Sequence, residues 1–177
     1  SKHGYRVNRM SRTALITGAA GGLGGALAHR LANEGWNLAL VSRQAGRLND
    51  LASLPGSFAI EADVSTPDGA SRAFEAATDR FGQVPDALAN CAGSTLISPL
   101  HRTTAEQYRD CMRANVDSAF HSLRAFVRAC TQARKPGSAV LVGSVVAHLG
   151  VVNHEAIAAA KAGVEALARS AAATYGA

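Results

Sequence analysis

The chain has 177 residues, of which 47% are hydrophobic and 18% charged, with 17 glycines against 5 prolines. This composition is that of an average globular domain, and it excludes collagen-like and intrinsically disordered chains. A domain of this length buries about 70% of the surface that its unfolded chain exposes, so one domain needs no disulfide or structural metal for stability.

The net charge of +5 does not indicate a nucleic-acid partner. Residues 1–12 contain four basic and no acidic side chains, so the rest of the chain carries only +1. Its arginines are scattered singly among acids, whereas a nucleic-acid surface needs clustered basic residues. We therefore expect no nucleic-acid binding, and we interpret residues 1–12 as a flexible leader.

The cysteines and the apolar stretches indicate the cellular compartment of the protein. Cys91, Cys111 and Cys130 are an odd number without C-x-x-C spacing, which predicts reduced thiols in an intracellular protein. The longest apolar stretch, residues 138–152, is interrupted by glycines and is too short to span a bilayer. No apolar segment follows the basic N-terminal residues as a secretory signal requires. The sequence thus predicts a cytoplasmic protein without a membrane partner.

From residue 13 onward, short apolar runs alternate with longer amphipathic stretches, which is typical of repeated strand–helix units. The predicted strands are Thr13 to Thr17, Asn37 to Ser42, Ser57 to Ala62, Ala87 to Asn90 and Ala139 to Gly143. Their nearly continuous apolar character fits strands buried on both faces. We predict an α/β fold with a doubly wound parallel sheet, in a single domain covering residues 13–177.

Apolar residues at helical spacing predict the connecting helices. The stripes are Leu23, Leu27 and Leu31 in one helix, and Phe74, Ala77 and Phe81 in another. Residues 116–130 repeat the same spacing, and an alanine-rich helix is predicted from about His154. The first two stripes are interpreted as core, while the last two helices can contact both the sheet and a partner subunit.

A glycine-rich turn follows the first strand directly, with the sequence Thr17-Gly18-Ala19-Ala20-Gly21-Gly22-Leu23-Gly24. Glycine at a strand-to-helix turn permits the close approach of a pyrophosphate, which the free N–H groups of the helix start stabilise. Taken alone, such a cluster can equally be a plain turn.

The T-G-x-x-x-G-x-G spacing, together with Asn90-Cys91-Ala92-Gly93 after the fourth strand, resembles the short-chain dehydrogenase/reductase family. The resemblance extends to Asp63-Val64, Asn115-Val116, Gly143-Ser144 and Lys161. It implies a Rossmann-type sheet that binds a nicotinamide dinucleotide. The implied cofactor contacts are Gly18, Gly22, Leu23 and Gly24 at the pyrophosphate, Asp63 and Val64 at the adenine, and Asn90, Ala92, Gly93 and Lys161 at the sheet centre and ribose.

Ser42 and Arg43 end the second predicted strand, where an acid would bind the ribose hydroxyls of NAD. A hydroxyl followed by a guanidinium suits the 2′-phosphate of NADP. We therefore expect NADP(H) in preference to NAD(H). The alternative for Arg43 is an exposed side chain at a helix start.

The resemblance also implies a catalytic set of Asn, Ser, Tyr and Lys, of which Asn115, Ser144 and Lys161 are present. Ile157 stands four residues before Lys161, where the family has its proton-donating tyrosine. His154 is predicted to share a helix face with Ile157 and Lys161, so its imidazole is a candidate replacement. His148 and Glu155 are further candidates, and an ordinary helix-start residue is the alternative for His154.

The family usually has about 250 residues, with two further strands that complete the doubly wound sheet. The resemblance therefore implies a domain that is incomplete at its C-terminus, with the fifth strand as an exposed apolar edge. Either the chain is a fragment of a longer protein or a partner covers that edge.

The first hypothesis is an NADP(H)-preferring oxidoreductase that transfers a hydride between nicotinamide and a small carbonyl or hydroxyl substrate, without a metal. The resemblance implies that Ser144 holds the substrate oxygen, Lys161 the nicotinamide ribose and Asn115 a relay water. The alternative is a cofactor-binding regulatory or scaffold protein that has lost the chemistry, and a purely structural module is disfavoured by Ser144 and Lys161. The family's common four-helix contact implies a homodimer or homotetramer.

Overall fold

Five parallel strands form the central sheet of the computed structural model, which describes residues 11–176. The strands are Thr13–Thr17 (β1), Asn37–Ser42 (β2), Ser57–Glu61 (β3), Ala87–Asn90 (β4) and Ser138–Leu141 (β5). Their order across the sheet is β3-β2-β1-β4-β5, and every neighbouring pair is parallel. The order reverses between β1 and β4, which confirms the predicted doubly wound sheet. Residues 1–10 of the predicted leader lie outside the described residues.

Helices connect successive strands, and a further helix follows β5. They are Gly22–Asn33 (α1), Asn49–Ala52 (α2), Pro67–Phe81 (α3), Ala105–Met112 (α4), Ser118–Ala133 (α5) and Glu155–Tyr175 (α6). Short 3₁₀ turns lie at Ala45–Leu48, Leu100–Arg102 and Val145–Ala147, and one π-helical turn, Arg113–Asp117, joins α4 to α5. Within residues 11–176, no helix is both long and apolar enough to cross a membrane.

The predicted strand ends differ slightly from those observed. β3 ends at Glu61 rather than Ala62, and β5 covers Ser138–Leu141 rather than residues 139–143. In each case one ladder hydrogen bond continues past the end, from Ala62 N–H to Ser42 O (3.0 Å) and from Val142 N–H to Asn90 O (3.3 Å). Ala62 and Val142 thus keep one sheet hydrogen bond each but lie just outside their strands.

The alternation of side chains along β1 explains why its three central residues are all apolar. Leu15 faces a core that α3 and α5 complete, whereas Ala14 and Ile16 face the opposite core beside α1. All three side chains are fully buried. Helices thus cover both faces of the sheet, as a buried parallel sheet requires.

β5 forms one edge of the described sheet, as expected from the sequence. Its first three residues are exposed, and the Val140 side chain is 63% exposed. A single neighbour, β4, holds this strand in the sheet.

A partly exposed ion pair connects the start of β4 to β1 and to the residues just after α5. Asp86 accepts hydrogen bonds from the Thr13 backbone N–H (2.8 Å) and hydroxyl (2.9 Å). Lys135 Nζ lies 2.8 Å from the other Asp86 oxygen and donates to Val84 O at 2.6 Å. Burial of the Asp86 carboxyl would raise its pKa, but the bonds from Lys135 and Thr13 outweigh burial and lower the pKa below its ordinary value.

Replacing Asp86 by alanine is expected to lower the free energy of unfolding by about 1 to 3 kcal/mol at neutral pH, since charged hydrogen bonds are lost. Because the folded pKa is lowered, the stabilisation is present above the unfolded value and is lost as pH falls through the folded one. Urea unfolding of Asp86→Ala and the parent should therefore converge in acid. Asp79→Ala, which removes an exposed carboxyl on α3, is the matched control. A constant difference at every pH would contradict the role of the ionised carboxylate.

Candidate functional site

A cleft of about 220 Å³ lies at the carboxyl ends of the strands, beside the point where strand order reverses. Seven of the predicted cofactor residues line it: Gly18, Ser42, Arg43, Asp63, Val64, Ala92 and Gly93. Gly22, Leu23, Gly24, Asn90 and Lys161 do not form its wall. This is the crevice in which open parallel sheets bind their ligands.

At two positions of the glycine-rich turn, Gly18 and Gly24, neighbouring backbone atoms leave no room for a side chain. Gly18 has a φ of +62°, and a Cβ there would lie 2.6 Å from the Ala92 nitrogen and from Cys91 O. A Cβ on Gly24 would lie 2.5 Å from Gly18 O. A Cβ on Gly22, by contrast, would meet nothing within 4 Å. The start of α1 is therefore uncrowded at Gly22, and the first N–H groups of a helix have no partner within it, which is the arrangement that holds a pyrophosphate.

Asn90 connects strands and does not line the cleft. It is buried, and its Oδ1 accepts a hydrogen bond from the Thr17 hydroxyl at 2.7 Å. The same hydroxyl accepts from Ala92 N–H at 3.2 Å. Asn90 thus fixes the ends of β1 and β4 relative to each other, which sets the position of Gly18 and Ala92 in the cleft.

Asp63 presents a carboxylate at the cleft wall. Its Oδ1 accepts from the Ser65 hydroxyl (2.6 Å) and backbone N–H (3.0 Å). Burial would raise the pKa of Asp63, but these two bonds, together with the charges of Arg113 and Arg43, lower the pKa below its ordinary value. The carboxylate is therefore ionised at neutral pH, and its other oxygen can accept a further hydrogen bond.

A basic recess lies beside this carboxylate. It is lined by Ser42, Arg43, Gln44 and Arg47, and it has a volume of about 390 Å³. Both arginines are exposed and also line the main cleft. Arg47 was not predicted as a site residue, although its spacing of four from Arg43 is a signal that could have been used. Arg113, on the π-helical turn, lines the cleft as well and was not predicted.

The π-helical turn places Asn115 inside the protein, facing the loop after β4. Asn115 is buried, and its Nδ2 donates to Ser94 O (3.0 Å) and Cys111 O (2.9 Å). Its Oδ1 accepts from Ser94 N–H at 3.3 Å. The side chain is thus engaged with backbone groups, which fixes the loop carrying Gly93. Single π-helical turns are common at functional sites.

Ser144 lies on the segment that follows β5, and Lys161 contacts the same segment. Lys161 Nζ donates to Val142 O at 2.8 Å, and burial lowers the pKa of its ammonium group. Ser144 starts the next 3₁₀ turn, where its hydroxyl accepts from Val146 N–H at 3.3 Å. A Cβ on Gly93 would lie 3.6 Å from Lys161 Nζ and 2.8 Å from Asn115 Oδ1. The structure therefore brings the three matching family residues to one region.

Ile157 is packed where the family has its tyrosine. It is only 3% exposed and forms an apolar cluster with Cys111 and Ala160. Leu96 and Val146, from the loops after β4 and β5, pack against the same cluster. The position is therefore filled by an aliphatic side chain that carries no exchangeable proton.

His154 precedes α6 instead of lying within it. Its φ of −112° and ψ of 17° are not helical, although its carbonyl accepts the first helical hydrogen bond, from Ala158 N–H at 2.8 Å. The ring contacts the preceding turn, since Nδ1 lies 2.7 Å from Val152 O. A carbonyl oxygen only accepts, so Nδ1 carries the hydrogen and Nε2 is left for another partner.

His148 has a partner that the sequence did not indicate. Its Nε2 lies 2.7 Å from an oxygen of Glu165, one turn beyond Lys161 on α6. The other Glu165 oxygen lies close to Gly143, where a Cβ would be 2.9 Å away. Residues distant in sequence form this pair, so no local spacing could have predicted it. Glu165 thus contacts the segment that carries Ser144 at two residues, Gly143 and His148.

Two cysteines border the site, and all three cysteines of the chain are free. Cys91 lines the cleft, and Cys111 contacts Ile157. Burial raises the pKa of both thiols. Both are therefore neutral at physiological pH and poorly nucleophilic. Within residues 11–176, no cluster of three or more His, Cys, Asp or Glu side chains is placed to hold a metal ion.

The sequence profile described as short chain dehydrogenase matches residues 12–177. The 3-oxoacyl-acyl-carrier-protein reductase MabA of Mycobacterium bovis is 36% identical over 161 residues, which cover 91% of this chain and 62% of the relative. The corresponding reductase FabG of Vibrio cholerae is 34% identical over 167 residues, covering 93% of this chain and 67% of the relative. The chain thus spans 62% to 67% of the length of these curated relatives.

Solved structures agree with the sequence matches. A short-chain dehydrogenase from Streptomyces avermitilis superposes with a TM-score of 0.85 and 28% identity, covering 93% of this chain and 60% of that one. NAD⁺-bound xylitol dehydrogenase gives a TM-score of 0.88 at 26% identity, covering 95% and 66%. The profile, the relatives and the shared fold agree across nearly all of the described residues. The chain therefore belongs to the short-chain dehydrogenase family.

Proposed function

We propose that residues 13–177 form the dinucleotide-binding domain of an NADP(H)-preferring oxidoreductase. Its reaction would move a hydride between nicotinamide and the carbonyl or hydroxyl carbon of a small-molecule substrate. The observation that carries the cofactor preference is the recess formed by Ser42, Arg43 and Arg47, which two guanidinium groups make basic. Such a recess suits a phosphate monoester. Two relatives that are named reductases support the reaction class.

Different residues would bind different parts of the cofactor. The N–H groups at the start of α1 would hold the pyrophosphate, and Asp63 and Val64 would flank the adenine. Lys161 would bind the nicotinamide ribose with the donors that its bond to Val142 O leaves free. When bound, NADPH supplies the hydride. Ser144 would donate to the substrate oxygen, and Asn115 would hold a relay water, as the family resemblance implies.

NADPH is expected to bind more tightly than NADH, and Arg43→Ala should remove most of this preference. Loss of a charged phosphate contact weakens NADPH binding by about tenfold to a hundredfold. NADH binding should change little, because NADH has no phosphate at that end. Fluorescence titration of both cofactors measures the ratio directly.

Arg30→Ala is the matched control, because Arg30 is exposed on α1 and pairs with Glu34 (2.6 Å) away from the cleft. It removes the same charge and should leave the ratio unchanged. Equal affinity of the unmodified protein for NADPH and NADH would refute the proposed preference.

A second candidate function is a cofactor-binding regulatory or scaffold protein without turnover. The buried, aliphatic packing of Ile157 favours it, because no proton donor occupies that position. His154 is the candidate that would keep the chain catalytic. Its Nδ1–H is bound to Val152 O, so Nε2 is available to exchange a proton with a substrate.

We also propose self-association through α5 and α6. A groove of about 510 Å³ runs along these helices, and its apolar lining includes Phe120, Val127, Leu167 and Tyr175. Phe120 and Tyr175 are large and exposed. A patch of this kind favours a homodimer or homotetramer, because a closed symmetric contact would bury it.

A cytoplasmic location is part of the proposal. The three free thiols support it, because an oxidising compartment favours disulfide formation.

A further inference from the structure

Ser144 lies on a short segment that contacts α6 on both sides of the serine. Before Ser144, the Val142 carbonyl accepts a hydrogen bond from Lys161 Nζ at 2.8 Å. After Ser144, the ring of His148 reaches the same helix, since its Nε2 lies 2.7 Å from Glu165 Oε2. Ser144 itself caps the 3₁₀ turn between these two contacts. The position of its hydroxyl group therefore depends on both of them.

Glu165 is the only acidic residue in the part of α6 that follows Glu155. Its side chain is 21% exposed, and a carboxylate that is largely removed from water needs hydrogen-bond donors. His148 supplies one through its Nε2–H, because an ionised carboxylate only accepts. Arg169 Nη1 lies 3.9 Å away on a side chain that is 71% exposed, so it contributes little. Within residues 11–176, His148 is thus the main partner of Glu165.

The other oxygen of Glu165 accounts for the glycine that precedes Ser144. A Cβ on Gly143 would lie 2.9 Å from Glu165 Oε1 and 3.3 Å from Glu165 Cγ. Both are atoms of a flexible side chain, so an alanine there would displace the Glu165 side chain and not the backbone. Glu165 therefore packs against the backbone immediately before Ser144 and binds the ring of His148 after it.

We propose that Glu165 is a positioning residue for the nicotinamide half of the cofactor site. By contacting the segment on both sides of Ser144, it keeps this segment against α6, and with it the Val142 carbonyl that orients Lys161. The proposal rests on the proposed function, in which Lys161 binds the nicotinamide ribose. The cleft wall at the ends of β2 and β3, where the adenine half would bind, includes no residue of this segment.

The test compares two ligands of the full chain by isothermal titration calorimetry. NADPH would occupy both halves of the site, whereas adenosine 2′,5′-bisphosphate lacks the nicotinamide ribose and reports on the adenine half alone. Glu165→Ala should weaken NADPH binding by about threefold to tenfold, which is part of the roughly tenfold to hundredfold effect of losing a whole charged hydrogen bond. Binding of the bisphosphate should stay unchanged.

This pattern distinguishes positioning from two simpler effects. General destabilisation of the domain would weaken binding of both ligands. Removal of a negative charge would by itself strengthen binding of both, since both are anions. Equal changes for the two ligands, in either direction, would therefore overturn the proposal.

Glu165→Gln tests whether the contact or the charge matters. Its amide oxygen can still accept a hydrogen bond from His148 Nε2–H, so NADPH affinity should return close to that of the unmodified protein. A glutamine variant as weak as the alanine variant would show that the charge is what matters, which overturns the proposal.

Gly143→Ala tests the same contact from the other side. It displaces the Glu165 side chain without removing it, so it should weaken NADPH binding about as much as Glu165→Ala does. In the Glu165→Ala background the space is already free, and Gly143→Ala should have no further effect. Losses that simply add would mean that the two residues act independently, which contradicts the proposal.

Glu34→Ala is the matched control, because Glu34 follows α1 and pairs with Arg30 at 2.6 Å, away from the cleft. It removes a paired carboxylate and should leave both affinities unchanged, and a loss like that of Glu165→Ala would overturn the proposal. If neither ligand binds the unmodified protein, the proposed function fails, and this proposal fails with it. If both bind and Glu165→Ala changes neither affinity, only the role of Glu165 is wrong.

Discussion

Ile157→Tyr is expected to create or strongly raise carbonyl reductase activity. An isoleucine cannot exchange a proton, and a positioned general acid contributes about a hundredfold to ten-thousandfold to the rate. The new phenol would lie one helical turn from Lys161, whose positive charge lowers the pKa of a nearby phenol. The measurement is NADPH oxidation with a panel of simple ketones, by the variant and the parent. The parent should be nearly inactive.

Ile157→Phe is the matched control, since it adds the ring without the hydroxyl. Ile157 is 3% exposed, so either aromatic ring would overpack the cluster at a cost of about 1 to 3 kcal/mol. Both variants should therefore lose similar stability, while only tyrosine gains activity. Equal activity of the two variants would show that the gain came from repacking and not from proton transfer.

The turnover of His154→Ala distinguishes the two candidate functions. If the unmodified protein turns over briskly, and His154→Ala abolishes turnover without weakening NADPH binding, then the imidazole is the acid and the scaffold hypothesis is wrong. Retained turnover in both Ile157→Phe and His154→Ala would remove both positions from the mechanism.

Gly24→Ala is expected to abolish dinucleotide binding and to destabilise the fold by several kcal/mol. The new Cβ would lie 2.5 Å from Gly18 O and 2.8 Å from the Ala19 Cα. Both neighbours are backbone atoms, so the turn itself has to move. Because Gly18 is in turn fixed against Ala92, the displacement would change the shape of the cleft. Thermal unfolding and NADPH titration measure the two losses.

Gly25→Ala provides the control within the same helix. Its Cβ would lie 3.5 Å from Ala19 O and 3.8 Å from Leu51 Cδ1, which are ordinary contacts. Alanine in place of a helical glycine stabilises by about 0.5 to 1 kcal/mol, so this variant should unfold at the same or a higher temperature. If Gly24→Ala behaves like Gly25→Ala, close packing of the turn is not what requires glycine there.

Local sequence patterns determined the architecture of this protein. The apolar run of β1 and the glycine turn after it depend on residues adjacent in the chain, whose spacing directly encodes strand, turn and helix. The missing tyrosine was likewise visible at Ile157, because its distance from Lys161 is fixed by one helix. Even the strand ends were correct to within two residues.

Contacts between distant segments were decided only by the tertiary structure. Arg47 and Arg113 reach one cleft from separate elements, and Glu165 pairs with His148 across α6 and a loop. The ring of His154 contacts the backbone carbonyl of Val152, which the sequence did not indicate. Such contacts depend on how elements pack, and packing brings together residues whose spacing along the chain carries no signal of their proximity.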